Sequence, residues 1–211
     1  MSRFLRRALA AMGVLACVSA AQAGTLAYDG YSVLNNQTVT LSDAGLGFNE
    51  AGGSGQIVLY TNDAAGGALA TWCIDIPDTL RWAGQFTTGS FLTGNFGSVV
   101  NALLSNVIPR LDSDYNVSSA LQVAIWRAEY GQGLTVTAPE AVTRLADQYL
   151  ENVANGSFRP DAAMQVAVLA AYGSNQDQAY LTPVPEPGSM AALGVGLAGL
   201  WLWRRQVSRK S

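Results

Sequence analysis

The 211-residue chain carries 12 basic and 15 acidic residues, a formal net charge of −3, and no histidine. Without histidine, Ser-His-Asp catalysis, Cys-His catalysis and the commonest zinc sites are excluded. Seven basic residues lie at the two ends of the chain, so the segment between them has five arginines against 15 acidic residues, a charge of −10. Such a surface argues against nucleic acid as a partner.

The first 23 residues have the three parts of a secretory signal peptide. A basic n-region with three arginines precedes an apolar stretch at residues 8–20, and Ala21-Gln22-Ala23 is a small-x-small cleavage site. A lipoprotein signal at Cys17 is the alternative, because apolar and small residues precede that cysteine. We expect cleavage after Ala23, which leaves Cys73 as the only cysteine of the mature chain and excludes an internal disulfide.

The next part of the chain has the pattern of β-strands. Five segments rich in β-branched and aromatic residues are separated by Asn-Asn, Gly-Gly and Asn-Asp turn signals. An antiparallel sheet whose last strand carries Cys73 is therefore predicted from Thr25–Tyr28, Tyr31–Leu34, Thr38–Leu41, Gln56–Tyr60 and Ala68–Ile74.

The middle of the chain predicts three helices, and two strands follow them. Pro109 ends the first helix, Gly131 ends the second, and Asn116 or Ser118 is the expected N-cap of the second. The predicted helices are Ser98–Val107, Val117–Tyr130 and Pro139–Val153, and the final strands are Gln165–Tyr172 and Ala179–Thr182. Residues 24–182 are thus expected to form one α+β domain, an N-terminal antiparallel sheet packed on about three helices with two C-terminal strands.

The last 29 residues, 183–211, combine a proline-rich spacer, an apolar segment and a basic end. The spacer contains Pro185-Glu186-Pro187 and is expected to be extended. Residues 188–203 are uncharged and would reach about 24 Å as a helix, which is short against a hydrocarbon layer of roughly 30 Å. The basic residues stay on the cytoplasmic side by the positive-inside rule: Arg204, Arg205, Arg209 and Lys210. The segment predicts one short transmembrane helix.

In its order, spacing and charge, this tail resembles the PEP-CTERM sorting signal of Gram-negative, exopolysaccharide-producing bacteria. The resemblance implies that the precursor is held transiently in the inner membrane and that an exosortase cuts near Pro185-Glu186-Pro187. The protein would then reach the cell surface or the extracellular space. A periplasmic domain that the tail anchors permanently, with no sorting step, is the alternative.

Two short segments carry the candidate chemistry, Trp72-Cys73-Ile74-Asp75 and Leu121-Gln122-Val123-Ala124-Ile125-Trp126. Together they resemble the thioester domains of bacterial surface adhesins, in which a strand Cys is joined to the Gln of a helical Thr-Gln-x-Ala motif. Gln122, Ala124 and the residues after it match that motif, whereas Leu121 stands in place of the threonine.

The resemblance implies a thioester between Cys73 and Gln122, with Trp72 and Trp126 shielding it from water. A thiol that attacks a glutamine carboxamide expels ammonia and leaves an activated acyl group, which survives only where water is excluded. A buried core cysteine in ordinary contact with the helix is the alternative, and a free or intermolecular thiol is another.

Acidic residues supply the remaining candidates. Asp75 and Asp78, which flank Pro77, and Glu129 are the carboxylates that a matrix-acting hydrolase would use, although aspartates beside a proline are usually turn residues. The Asp112-x-Asp114-x-Asn116 segment lacks the glycine and glutamate of a calcium loop. It predicts a helix cap instead.

The sequence as a whole favours an exported surface or matrix protein that is not an enzyme and needs no metal or cofactor. We expect it to act by adhesion or by association with exopolysaccharide or surface amines. Its expected processing partner is an exosortase.

Overall fold

The computed structural model describes residues 23–61, 67–111 and 114–185, together with residue 196. Those from 23 to 184 belong to one compact unit of mixed α+β structure. Within the described ranges, seven strands and three α-helices occur. They are β1 Thr25–Asp43, β2 Phe48–Thr61, β3 Ala68–Cys73, β4 Gly84–Phe91, α1 Gly94–Val107, α2 Tyr115–Tyr130, β5 Thr135–Thr137, α3 Glu140–Ala154, β6 Met164–Ala171 and β7 Gln178–Pro183.

The strands form one antiparallel sheet in the order β2-β3-β7-β6-β4-β1-β5. Because β1 also pairs with β2 along most of its length, the ladder closes from β1 through β2, β3, β7, β6 and β4 back to β1. The short β5 is attached to the end of β1, at Thr40–Ser42. Closure gives each of the six main strands a partner on both sides, so the fold protects strand edges that would otherwise be open. The α+β prediction is confirmed, but the sheet is not confined to the N-terminal part of the chain, because the two C-terminal strands lie inside it between β3 and β4. β4 and β5 were not predicted.

β1 is one 19-residue strand, where the sequence predicted three. Its register with β2 shifts between Tyr28 and Gly30 and again between Leu34 and Gln37, and Asn35 has a φ of 47°. A positive φ is tolerated by asparagine better than by most residues. The Asn35-Asn36 pair, interpreted as a turn, is therefore an irregularity at which the strand continues in a new direction.

The three helices were predicted at nearly their observed bounds, and the N-cap of α2 was wrong. That cap is Asp114, whose carboxylate accepts a hydrogen bond from the Asn116 N–H at 2.8 Å. The prediction that this acidic segment caps a helix is thus confirmed. α2 ends at Gly131, where φ is 63°, a conformation that glycine adopts without strain.

α2 lies at the centre of the packing, in contact with β1, β2, α1 and α3. Its residues from Ser118 to Trp126 are all buried, including the polar Ser118, Ser119 and Gln122. The helix is therefore enclosed on several sides, which makes its polar side chains available for buried contacts.

Two predicted segments lie outside the described residues, except at Ala23 and Gly196: the signal peptide at 1–23 and the transmembrane helix at 188–203. Of the helices that the structure describes, none has the length and apolar character needed to span a bilayer.

Candidate functional site

The side-chain amide of Gln122 is hydrogen-bonded at both ends to the main chain of Cys73. The Cys73 N–H donates to Oε1 of Gln122 at 3.0 Å, and Nε2 of Gln122 donates to the Cys73 carbonyl oxygen at 2.7 Å. Each residue is 1% exposed. The structure thus brings together, in a buried contact, two residues that lie 49 positions apart in the chain.

The Gln122 amide can bind here because the Cys73 main chain has no strand partner on one side. The ladder between β2 and β3 ends at the Ile57–Thr71 pair, so the Cys73 main chain has no strand partner in β2. Buried N–H and C=O groups need partners. The primary amide of Gln122 offers one acceptor and one donor, and it replaces the missing strand residue.

Two serines one turn earlier in α2 also hydrogen-bond main-chain groups of the strands. Ser118 Oγ accepts from the Gln56 N–H at 2.9 Å. Ser119 Oγ accepts from the Gln37 N–H at 2.8 Å and donates to the Ser54 carbonyl oxygen at 2.6 Å. α2 is therefore docked by polar side chains that satisfy the main chain where β1 and β2 change register.

The Cys73 thiol is buried and fully hydrogen-bonded. Sγ donates to the Asp75 carbonyl oxygen at 3.0 Å and accepts from the Trp126 indole N–H at 3.4 Å. Burial raises the pKa of the thiol to about 12, and the Trp126 N–H opposes that rise only in part. At neutral pH the group is therefore a protonated thiol, and Trp126 is the aromatic residue that touches it.

Trp72 occupies a different position from the one predicted for it. Successive strand residues point to opposite faces, so Trp72 lies on the other face of β3 from Cys73. It is 1% exposed, and its indole nitrogen is a buried polar atom without a hydrogen-bond partner within the described ranges. Its part in the site is to fill the core behind the strand.

The carboxylates of the hydrolase hypothesis separate into a pair and an isolated residue. Asp75 is hydrogen-bonded to Asp78, and burial, followed by the charges of Asp78 and Asp177, raises the pKa of Asp75 to about 6. Tyr130 lies beside them, with its hydroxyl oxygen accepting from the Ile76 N–H at 3.0 Å. Glu129 is exposed on α2 and is not part of this group.

A cavity of about 250 Å³ lies against the Cys73–Gln122 pair. Its buried end is lined by Cys73, Gln122 and Trp126, and Asp78 forms part of its wall. Exposed residues of β2, among them Glu50 and Gly52, line its outer part. A small molecule or the end of a flexible side chain can therefore approach the Cys73–Gln122 pair from the surface.

Gln178, a second buried glutamine near the thiol, was not predicted from the sequence. It is the cross-strand partner of Cys73 on β7 and is 0% exposed. Its Oε1 accepts from the Thr71 hydroxyl at 3.1 Å. The only sequence signal is a polar Gln-x-Gln run at the start of a strand that was predicted to begin one residue later.

No group of three or more His, Cys, Asp or Glu side chains that could hold a metal ion occurs within residues 23–61, 67–111 and 114–185.

Comparison with known families identifies the C-terminal segment. The family model of the PEP-CTERM protein-sorting motif matches residues 183–206. The match contains Pro185-Glu186-Pro187, Arg204 and Arg205, whereas Arg209 and Lys210 lie beyond it. No curated protein and no solved structure matches the chain. The predicted sorting signal is thus confirmed, and it marks an exported protein that an exosortase processes.

Proposed function

We propose that this exosortase-sorted protein is a cell-surface or matrix adhesion module that attaches covalently through a thioester between Cys73 and Gln122. The observation that carries the proposal is the double hydrogen bond between the Gln122 amide and the Cys73 main chain. It fixes a carboxamide beside the only cysteine in the described part of the chain, with both residues shielded from bulk water.

The arrangement suits the chemistry of acyl transfer. When Sγ attacks Cδ of Gln122, negative charge develops on Oε1, and the Cys73 N–H already donates to that atom. A donor placed in advance on a developing oxyanion is among the strongest contributions to catalysis. The Cδ–Nε2 bond then breaks, ammonia leaves with the proton of the thiol, and the S–C(=O) bond remains. The step needs no cofactor.

The surroundings favour a thioester that survives until a partner arrives. Burial keeps bulk water from the acyl group, while the cavity gives a nucleophile a route to it. The chain has no lysine before Lys210, so an exported form without the tail has no ε-amine that could consume the bond. An incoming primary amine would form an amide with the Gln122 acyl group and return the thiol to Cys73.

The partner class that fits best is an amine on a surface or matrix. The acidic character of the exported region attracts cations, and a primary amine is the strongest common nucleophile toward a thioester. A hydroxyl of an exopolysaccharide is the alternative nucleophile. Either reaction joins this protein covalently to material outside the cell, which is the adhesive role we propose.

The test is the intact mass of the exported protein, measured under denaturing conditions. We expect a mass lower by one ammonia than the sequence requires, no titratable thiol, and a gain of one amine after incubation with methylamine. Cys73→Ala and Gln122→Ala should each abolish amine uptake. Gln178→Ala, which removes the other buried amide near the thiol, should retain it. A wild-type protein with full mass and a free thiol would overturn the proposal and leave the Gln122 contact as structural.

A further inference from the structure

The thioester reaction needs a proton carrier, and the immediate contacts of the thiol do not include one. Sγ donates to a main-chain carbonyl oxygen, that of Asp75, which cannot take up a proton at ordinary pH. The proton must nevertheless travel from Sγ to Nε2, because an unprotonated amide nitrogen is a very poor leaving group. Some other group must therefore accept it and give it back.

We propose that the Asp75–Asp78 carboxyl pair is this carrier, an inference that rests on the proposed thioester. Asp78 lines the same cavity as Cys73 and Gln122, and its side chain is hydrogen-bonded to that of Asp75. Its main chain is held by Gln176, whose Nε2 donates to the Asp78 carbonyl oxygen at 3.0 Å. The cavity is large enough for a water chain between the carboxyl and the thiol.

The groups around the pair set the pH at which it works. Asp75 faces the carboxylates of Asp78 and Asp177, the Tyr130 hydroxyl from α2 and the Cys73 thiol from β3. The hydrogen bond joins Asp75, the carboxyl whose pKa is raised, to Asp78, the carboxyl that lines the cavity. The Asp75 pKa of about 6 places the loss of its proton close to neutrality, so this carboxyl can both accept and donate a proton there.

The steps balance without another reactant. The ionised pair accepts the thiol proton through cavity water, and the thiolate attacks Cδ of Gln122. As the C–N bond breaks, the pair returns that proton to Nε2, which leaves as ammonia. In the capture step, the pair takes a proton from the attacking amine and returns it to the departing Cys73 thiolate.

The first arm of the test measures the rate of methylamine uptake by the full-length protein against pH. In the wild type, at a fixed concentration of free-base methylamine, we expect the rate to rise through pH 6 as Asp75 loses its proton. In Asp78→Asn, which removes the carboxyl that lines the cavity, we expect the rate at pH 7 to fall about a hundredfold, the usual scale of general acid–base catalysis. In Asp75→Asn, which removes the group with the pKa of about 6, we expect the step near pH 6 to vanish. Glu129→Gln removes a nearby exposed carboxylate and should match the wild type. An unchanged profile in Asp78→Asn overturns the proposal.

The second arm uses Gln122→Ala, which cannot form the thioester and so keeps a free thiol, under conditions where its circular dichroism shows that it is folded. Alkylation of Cys73 by iodoacetamide should show a rate step near pH 6 that is lost in Gln122→Ala/Asp75→Asn. Absence of the step overturns the role of the pair as base toward the thiol. If wild-type protein takes up no amine while this step is present, the proposed function fails and the carboxyl–thiol relation stands by itself.

Discussion

The two hydrogen bonds from Gln122 to Cys73 predict a stability effect that does not depend on the thioester. Cys73→Ala removes the thiol and keeps the main-chain N–H and C=O, so it serves as the reference protein. Adding Gln122→Ala leaves both buried groups without partners. An unsatisfied buried polar group costs about 1–3 kcal/mol, so we expect the free energy of unfolding to fall by about 2–6 kcal/mol. That is a large part of the roughly 5–15 kcal/mol that holds a domain together.

Urea denaturation at pH 7, followed by circular dichroism, measures this difference. Gln122→Met in the same background keeps most of the side-chain volume and loses both hydrogen bonds, so it separates their contribution from packing. Gln132→Ala, at an exposed position, should change the free energy by no more than about 0.5 kcal/mol. A loss below about 1 kcal/mol in the Met variant would refute the reasoning.

Gln122→Glu in the Cys73→Ala background tests the same two hydrogen bonds through the pH dependence of stability. A protonated carboxyl can accept from the Cys73 N–H and donate to its carbonyl oxygen, whereas an ionised one cannot donate. Burial against a carbonyl raises the pKa of this carboxyl in the folded state. Its stability should therefore be greatest below about pH 4, near the unfolded pKa of glutamate, and fall as the pH rises. A variant that is equally stable at pH 4 and pH 7 would contradict this account.

Four further predictions concern other residues of the chain. Asp75 has a folded pKa of about 6 against about 3.9 unfolded, so its burial costs stability as the pH rises from 4 to 6. Asp75→Asn should remove that fall, worth about 1 kcal/mol after solvent screening, so its urea midpoint should rise relative to that of the wild type between pH 4 and pH 7. A difference between the two midpoints that is the same at both pH values would contradict this. Trp126→Phe removes the N–H donated to the Cys73 thiol, so in a Gln122→Ala protein it should slow alkylation at pH 8 several-fold, and an unchanged rate would refute the contact. Asp114→Ala should lower the free energy of unfolding by about 1 kcal/mol through loss of the α2 cap, again by urea denaturation, and no change would count against the cap. Glu186→Ala should leave uncut precursor in the inner-membrane fraction of a host with an exosortase, as judged by immunoblotting, and normal release would show that Glu186 is not needed for sorting.

The helices were predictable because their signals are local. Pro109 and Gly131 mark helix ends through their own backbone preferences, and both predictions agree with the structure. β4 has no comparable signal: within Gly84–Phe91 only Phe86 is buried. It is a strand because β1 and β6 lie on either side of it. Pairing between distant segments overrode a weak local preference.

The site was predictable only where a short motif pointed to it. Cys73 and Gln122 were selected by motif resemblance, and the structure places them in contact. Ser118 and Ser119 were not selected, because their role depends on where β1 and β2 change register, a feature of the assembled sheet. A buried main-chain group that lacks a strand partner has no signature in the sequence, so the polar side chain that satisfies it cannot be identified beforehand.

The place of Cys73 beside β7 has a mechanical consequence. Cys73 lies opposite Gln178, at the start of the strand whose other end, Pro183, opens the sorting motif. Under the proposed function, a captured partner would be joined to Gln122 on α2, which contacts the Cys73 main chain. Tension between that partner and a chain held beyond Pro183 would therefore enter the sheet at β3 and leave it along β7. Adjacent antiparallel strands pulled from opposite ends resist in shear, in which their hydrogen bonds share the load instead of opening one at a time. If the protein attaches in the proposed way, the neighbouring pairs β3–β7 and β6–β7 would bear that force.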